Sequence, residues 1–311
     1  MTDAPAIVDA HQHFWDIGRN YHPWLVDEAI PFRYGDYAAL RRNYLPADYV
    51  ADAAGHRVIA TVHIEAEWDR RDPVGETRWL AVLRERTGFP TVAVAQARLD
   101  REDAADILAA QAGFPFVRGI RHKPAAAPAP DVVVAGAAGS MGDRRWRDGY
   151  ARLERHGLSF DLQTPWWHLA EAAALARDFP RTQIVVNHTA LPADRSAEGL
   201  AAWRAALAIA AREPNIALKI SGLGVRGEAW RRAANAPIVL DAIGIFGVDR
   251  CLFASNFPVD SLVGSFDTIY AGFAAIVAGL PLDAQRKLFC GNAARIYRIP
   301  EAAVDEEAGT T

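Results

Sequence analysis

Ala6-Ile7-Val8-Asp9-Ala10-His11-Gln12-His13-Phe14 is a short apolar run that ends in two histidines one residue apart. Such a run predicts a buried strand. Side chains alternate faces along a strand, so residues i and i+2 point the same way. His11 and His13 are therefore expected to project together into whatever the strand lines. Further short apolar runs follow at 58–66, 92–99, 119–122, 158–163, 183–188, 216–222 and 251–256. The first of these, Val58-Ile59-Ala60-Thr61-Val62-His63-Ile64, shows the β-branched enrichment of a buried strand. Between the runs lie segments with helical spacing, at 75–86, 101–112, 144–155, 167–178, 197–212 and 228–244, and two more close the chain at 265–279 and 283–289. Strands alternating with helices predict an α/β protein with a parallel sheet, and eight strands close a (β/α)8 barrel. An open doubly wound sheet would carry a Gly-rich turn after the first strand, and none stands there.

Working outward, residues 15–50 read as a long polar and aromatic insertion, with a short helix starting at Pro46. No linker divides the chain, so 1–311 is expected to be one domain, with an acidic, small-residue tail at 301–311 that frays. Composition narrows the function. The net charge is −4 with no basic block, which gives no reason to expect nucleic-acid binding. The two cysteines, Cys251 and Cys290, make neither a disulfide framework nor a Cys-rich zinc site. No apolar run is long enough for a membrane span, and no signal pattern opens the chain. A cytoplasmic protein acting on a small molecule is expected; the sequence leaves its oligomeric state open. The nine tryptophans are divided between core and a candidate aromatic pocket.

Barrel active sites sit at the C-terminal ends of strands. The expected strands end in His11 and His13; in His63 and Glu65, taken to share one face; in Arg121 and His122; in Asp161 and Gln163, followed by Trp166 and Trp167; in His188; in Lys219 and Ser221; and in Asn256, followed by Asp260. Charged groups are costly to bury unless paired or used, so their recurrence at one end marks a candidate site. Bland alternatives stand beside several of them. His63 packs under a helix, Lys219 is a buried ion-pair partner (Glu65 being one candidate), Trp166 is rim packing, and Asp260 caps the 265–279 helix.

These residues resemble the amidohydrolase superfamily, and within it the amidohydrolase-related (amidohydrolase 2) group that contains sugar-lactone and pyrone-dicarboxylate lactonases. The resemblance is carried by Val8-Asp9-Ala10-His11-Gln12-His13-Phe14-Trp15-Asp16, Gly119-Ile120-Arg121, Asn187-His188, Lys219-Ile220-Ser221-Gly222-Leu223, Ser255-Asn256-Phe257-Pro258-Val259-Asp260 and Gly291-Asn292-Ala293-Ala294-Arg295-Ile296-Tyr297. It implies a hydrolase of carbohydrate metabolism that opens the lactone ring of a sugar acid or related carboxylated metabolite. By position, His11 and His13 would hold or polarise the carbonyl, His188 would assist, and Arg121 would bind a substrate carboxylate or hydroxyl. Gln163, Lys219, Asn256 and Trp166 complete the expected substrate contacts. The family uses such histidines with or without a divalent metal. No metal is expected to be required here, and His11, His13 and His188 would hold zinc if one is bound. One departure matters. Most members end strand eight with an aspartate that activates water, and here Asn256 stands there, which has no basic site near neutral pH. Asp260, Glu65 or His188 must then take the proton. Two further readings remain: a metal-dependent decarboxylase of the same superfamily, or a catalytically inactive barrel that binds a small carboxylated ligand.

Overall fold

A computed structural model describes residues 5–300; the expected fraying tail, 301–311, lies outside them. Eight strands run β1 (Ile7–Gln12), β2 (Val58–Ile64), β3 (Val92–Gln96), β4 (Val117–Arg121), β5 (Ser159–Leu162), β6 (Ile184–Val186), β7 (Ile216–Ile220) and β8 (Cys251–Phe253). Each pairs in parallel with the next, in chain order. The ring closes where β1 meets the end of β8: the Asn256 amide donates to the His11 carbonyl and the His13 amide to the Phe257 carbonyl, both at 2.8 Å. With helices between the strands, this is the (β/α)8 barrel that the alternating pattern implies.

The interior is filled by small and β-branched side chains. Val8, Ala10, Ala60, Val62, Ile64, Val92, Val94, Val185, Ala217 and Leu252 form one buried cluster, completed by Ala293, Ile296 and Tyr297 from the C-terminal segment. The alternate strand residues face outward onto the helices, in a second and larger cluster. Helix ends follow local chemistry. Ser196 and Ser265 accept from the backbone amides of Gly199 and Thr268 at 3.0 Å and cap their helices. The helix Gly75–Thr87 stops at Gly88, whose φ of 79° a side chain would resist. At Gly119, a Cβ would sit 2.3 Å from Ser159 Oγ, so only glycine lets β4 approach β5 there.

Two departures from regular strands shape the site. The first is in β1, where Asp9 pairs with Thr61 and Gln12 with His63, so three steps on β1 oppose two on β2. This is a β-bulge, the device that re-aims a side chain beside an active site. Adjacent residues Ala10 and His11 consequently both turn inward: Ala10 joins the interior cluster and the His11 ring meets His188. Asp9 stays outside, buried, accepting from Tyr49 Oη at 2.8 Å, Ser255 Oγ at 2.6 Å and Tyr270 Oη at 3.2 Å. Burial pushes the Asp9 carboxyl above its ordinary value, and the bonds from Ser255 and Tyr49 oppose the shift. Second, β6 and β8 are each three residues long, shorter than the runs 183–188 and 251–256 suggest. The chain turns away from strand geometry at His188, with φ 53°, and at Asn256, with φ 57°. His188 opens four consecutive residues in the left-handed region, sparsely populated for side-chain-bearing residues.

The insertion 15–50 is mostly loop, as its composition suggests, with the short helices Pro23–Val26 and Pro46–Asp52. It folds over the C-terminal ends of the strands. Among the described residues, no helix is long and apolar enough to cross a membrane.

Candidate active site

A cavity of about 250 Å³ opens at the C-terminal ends of the strands. His13, Arg121, Gln163, His188 and Asn256 line it from the barrel, and Trp24, Phe32 and Arg33 line it from the insertion. His11 lies fully buried, its ring centroid 5.0 Å from that of His13 and 4.6 Å from that of His188. His13 and His188 thus line the cavity at the ends of β1 and β6, and His11 packs against both rings from behind the lining.

Their protonation follows from their surroundings. Burial is the first cause holding all three below the ordinary histidine pKa of 6.5, and cations add to it: Lys219 foremost for His11, Arg121 for His13 and Arg33 for His188. All three are neutral at pH 7. A neutral imidazole carries one N–H and one lone pair. His13 Nδ1 lies 2.6 Å from the Ile64 carbonyl, which only accepts, so the proton is on Nδ1 and the lone pair is on Nε2. His11 shows the opposite tautomer. The Lys219 ammonium, a donor only, lies 3.4 Å from His11 Nδ1. The His11 proton then sits on Nε2, which is buried with no hydrogen-bond partner in the protein. His188 Nδ1 meets Ser221 Oγ at 3.0 Å.

The carboxylates are committed elsewhere. Glu65 Oε1 accepts from Arg121 Nε at 2.6 Å, Arg121 Nη2 donates to the Glu65 carbonyl, and Glu65 Oε2 accepts from the Glu67 amide at 2.8 Å. Asp260 is buried behind Asn256, accepting from Asn256 Nδ2 at 2.5 Å, Tyr34 Oη at 2.9 Å and Arg33 Nη2 at 3.4 Å. It is not among the residues that line the cavity. Because the amide nitrogen of Asn256 is spent on Asp260, its oxygen is the atom left for the cavity. Asp161 is also wholly buried, accepting from Lys219 Nζ at 2.7 Å, Tyr297 Oη at 2.9 Å and Asn187 Nδ2 at 2.8 Å.

Several expected positions shift accordingly. Lys219 is a fully buried partner of Asp161, not of Glu65, and sits below His11 rather than in the cavity wall. His63 and Glu65 do not share a face: His63 turns outward to Glu76 at 3.0 Å, while Glu65 reaches Arg121. The strand ends at Ile64, so alternation no longer governs Glu65. Trp166 packs edge-on against Trp167, ring centroids 5.4 Å apart, outside the cavity lining. Arg121, Gln163 and Asn256 do line the cavity, with Arg121 Nη1 donating to Gln163 Oε1 at 3.3 Å. Sequence reasoning passed over Trp24, Phe32 and Arg33. Their only signal was position in an aromatic insertion, which names a region and no residue.

The Asn256–Asp260 contact carries a prediction. Asn256→Asp would set two carboxylates 2.5 Å apart in a buried site, where one must take a proton. The variant is expected to lose about 2 kcal/mol of stability at pH 7, through a lost charge-assisted hydrogen bond, and to gain no activity. A carboxyl whose folded pKa is raised favours the fold when protonated, so the deficit should shrink as pH falls from 7 to 5. Thermal melts at the two pH values, each beside native protein, check this; a deficit that grows on acidification refutes it.

A family model described as Amidohydrolase matches residues 8–299. The chain is 39% identical over 305 residues to the uncharacterized protein y4mH of Sinorhizobium fredii, covering 96% of this chain and 100% of that one. It is 29% identical over 324 residues to an L-fucono-1,5-lactonase of Burkholderia ambifaria, covering 97% and 98%. A crystal structure of an amidohydrolase from Burkholderia multivorans with bound zinc superposes with a TM-score of 0.77 at 24% identity, covering 95% of this chain and 100% of that one. The donor set here does not fit a metal. Among the described residues, no group of three or more His, Cys, Asp or Glu side chains stands where one ion could be held. The strand-eight position offers an amide in place of a carboxylate, and the Lys219 ammonium stands against His11.

Proposed function

The chain belongs to the amidohydrolase family, and on that premise we propose that it hydrolyses the lactone of a sugar acid or a related carboxylated metabolite. The observation that carries this reading is the pair of opposed imidazoles, His13 with its lone pair on Nε2 and His11 with its proton on Nε2. One is a base and the other a donor. A water that gives its proton to His13 Nε2 adds to the lactone carbonyl carbon. The oxygen that gains charge is stabilised by the cationic groups around the cavity and, where substrate reaches past the lining residues to the buried His11, by its Nε2–H, an otherwise unpartnered donor. When the ring C–O bond breaks, the His13 imidazolium returns the proton to the leaving oxygen, giving the hydroxy acid. Asn256 Oδ1 accepts from the water or a ring hydroxyl, and Arg121 and Gln163 orient the substrate. The base is then His13; Glu65 serves by holding Arg121, and Asp260 by holding Asn256.

Two other observations support the reading. The cavity, at about 250 Å³, falls just below the roughly 300–1,000 Å³ of drug-sized ligand sites, which suits a single ring. The relative named as an L-fucono-1,5-lactonase matches this chain over nearly its whole length. The test is acid release, read by a pH indicator, over a panel of aldono-1,4- and aldono-1,5-lactones with protein purified free of added metal. At least one lactone should be opened with kcat/KM of about 10⁴ M⁻¹s⁻¹ or more. Chelator should leave that rate unchanged; loss on chelation with recovery on adding zinc would place an ion in the reaction. Turnover of another substrate class with every lactone inert would dismiss the lactonase reading.

A further inference from the structure

We propose that Arg33, delivered by the insertion, is the carboxylate-binding residue of this cavity and selects hydroxycarboxylates over neutral polyols. The choice of hydroxycarboxylate rests on the lactonase reading, since ring opening releases one; the choice of residue does not.

The other cations of the cavity are more fully committed to partners in the protein. Lys123 is paired with Glu67. Arg121 gives Nε and Nη2 to Glu65 and Nη1 to Gln163. Arg33 is held more loosely. Its Nη1 reaches the Gly222 carbonyl and its Nη2 reaches Asp260, each at 3.4 Å. A guanidinium has five N–H donors, so three remain uncommitted. The side chain is 28% exposed, and its guanidinium carbon lies over the Tyr34 ring, 4.5 Å from the centroid. Asp260 is shared among Asn256, Tyr34 and Arg33, which leaves the cation anchored but incompletely satisfied.

Its location fits a carboxylate formed at the reacting carbon. Gly222 has φ +61°, and a Cβ there would fall 2.7 Å from both Arg33 Nη2 and His188 Nδ1. One glycine therefore seats the guanidinium beside the imidazole. The forked donors of arginine match the two oxygens of a carboxylate, and the charge strengthens both bonds. Asp260 thus acts as a positioning residue that ties the insertion to strand eight.

Titration calorimetry on the full chain tests this with gluconate and with sorbitol, the neutral polyol of the same length. Native protein should prefer gluconate by about tenfold or more, and Arg33→Met should abolish that preference. Arg33→Lys keeps the charge but not the fork, and should fall between them. Matched melting temperatures establish that the variants are folded; if Arg33→Met does not fold, Arg33→Lys decides, and native preference in it overturns the proposal. A native protein without preference for gluconate, or an Arg33→Met protein that keeps it, also overturns the proposal. Lactone turnover is a separate readout: gluconate binding through Arg33 without turnover of any lactone would remove the lactonase reading alone.

Discussion

His13→Gln is expected to lower kcat by about 10²- to 10⁴-fold, the usual contribution of a positioned general base. Glutamine can still donate to the Ile64 carbonyl, as His13 Nδ1 does at 2.6 Å, but its amide has no basic site. The pH profile separates loss of a base from loss of packing. A base must be unprotonated to act, so the native rate should be flat through pH 7 and fall only as pH drops through the pKa of His13. That pKa is held well below 6.5 by burial and then by Arg121, so the fall belongs well below pH 6.5. In His13→Gln this acid limb should vanish from the residual activity. Retention of the limb, with kcat within tenfold of native, would move the base to another group.

Lys219→Met is expected to cost about 3–5 kcal/mol, because it strands the Asp161 carboxylate in the barrel interior without its cation. Both side chains are fully buried, and Tyr297 and Asn187 supply only neutral donors. Burial lowers the Lys219 pKa and Asp161 opposes that shift, as expected of an ion pair taken out of water. For a domain of this size, such a loss should lower Tm by roughly 10 °C. The double variant Lys219→Met/Asp161→Asn removes both charges and should recover most of the stability. It should not recover activity, since Lys219 also fixes the His11 proton on Nε2. Denaturant unfolding of the two variants beside an activity assay reads both effects. A single variant as stable as native protein would show that the pair contributes nothing.

Much of this architecture is legible in the chain itself. The period of strand and helix runs counts eight units, and barrels place chemistry at strand ends, so the sequence alone puts His11, His13, Arg121, Gln163, His188 and Asn256 at one end of the barrel, where all but His11 line the cavity. Lys219 and Glu65 are legible as buried charges but not by partner. A charge at a strand end announces that it needs a counter-ion and not which one. The pairing of Lys219 with Asp161, and of Glu65 with Arg121, depends on which strands are neighbours around the ring and how far each side chain reaches. Arg33 was hidden for a different reason: an irregular insertion has no period, so nothing local says which of its side chains meets the cavity.

The opening strand divides these two kinds of knowledge. Its sequence by itself determines a buried β-strand whose two histidines share a face, because alternation is a local property of extended backbone. Strict alternation would put Asp9 on that face as well, making an acid–histidine cluster. The bulge between Asp9 and Gln12 decides otherwise, turning the histidines inward and leaving Asp9 outside with Tyr49, Ser255 and Tyr270. A bulge is a relation between two strands, and only the tertiary structure brings together the β2 carbonyl that sets the proton on His13 and the β7 lysine that sets the proton on His11.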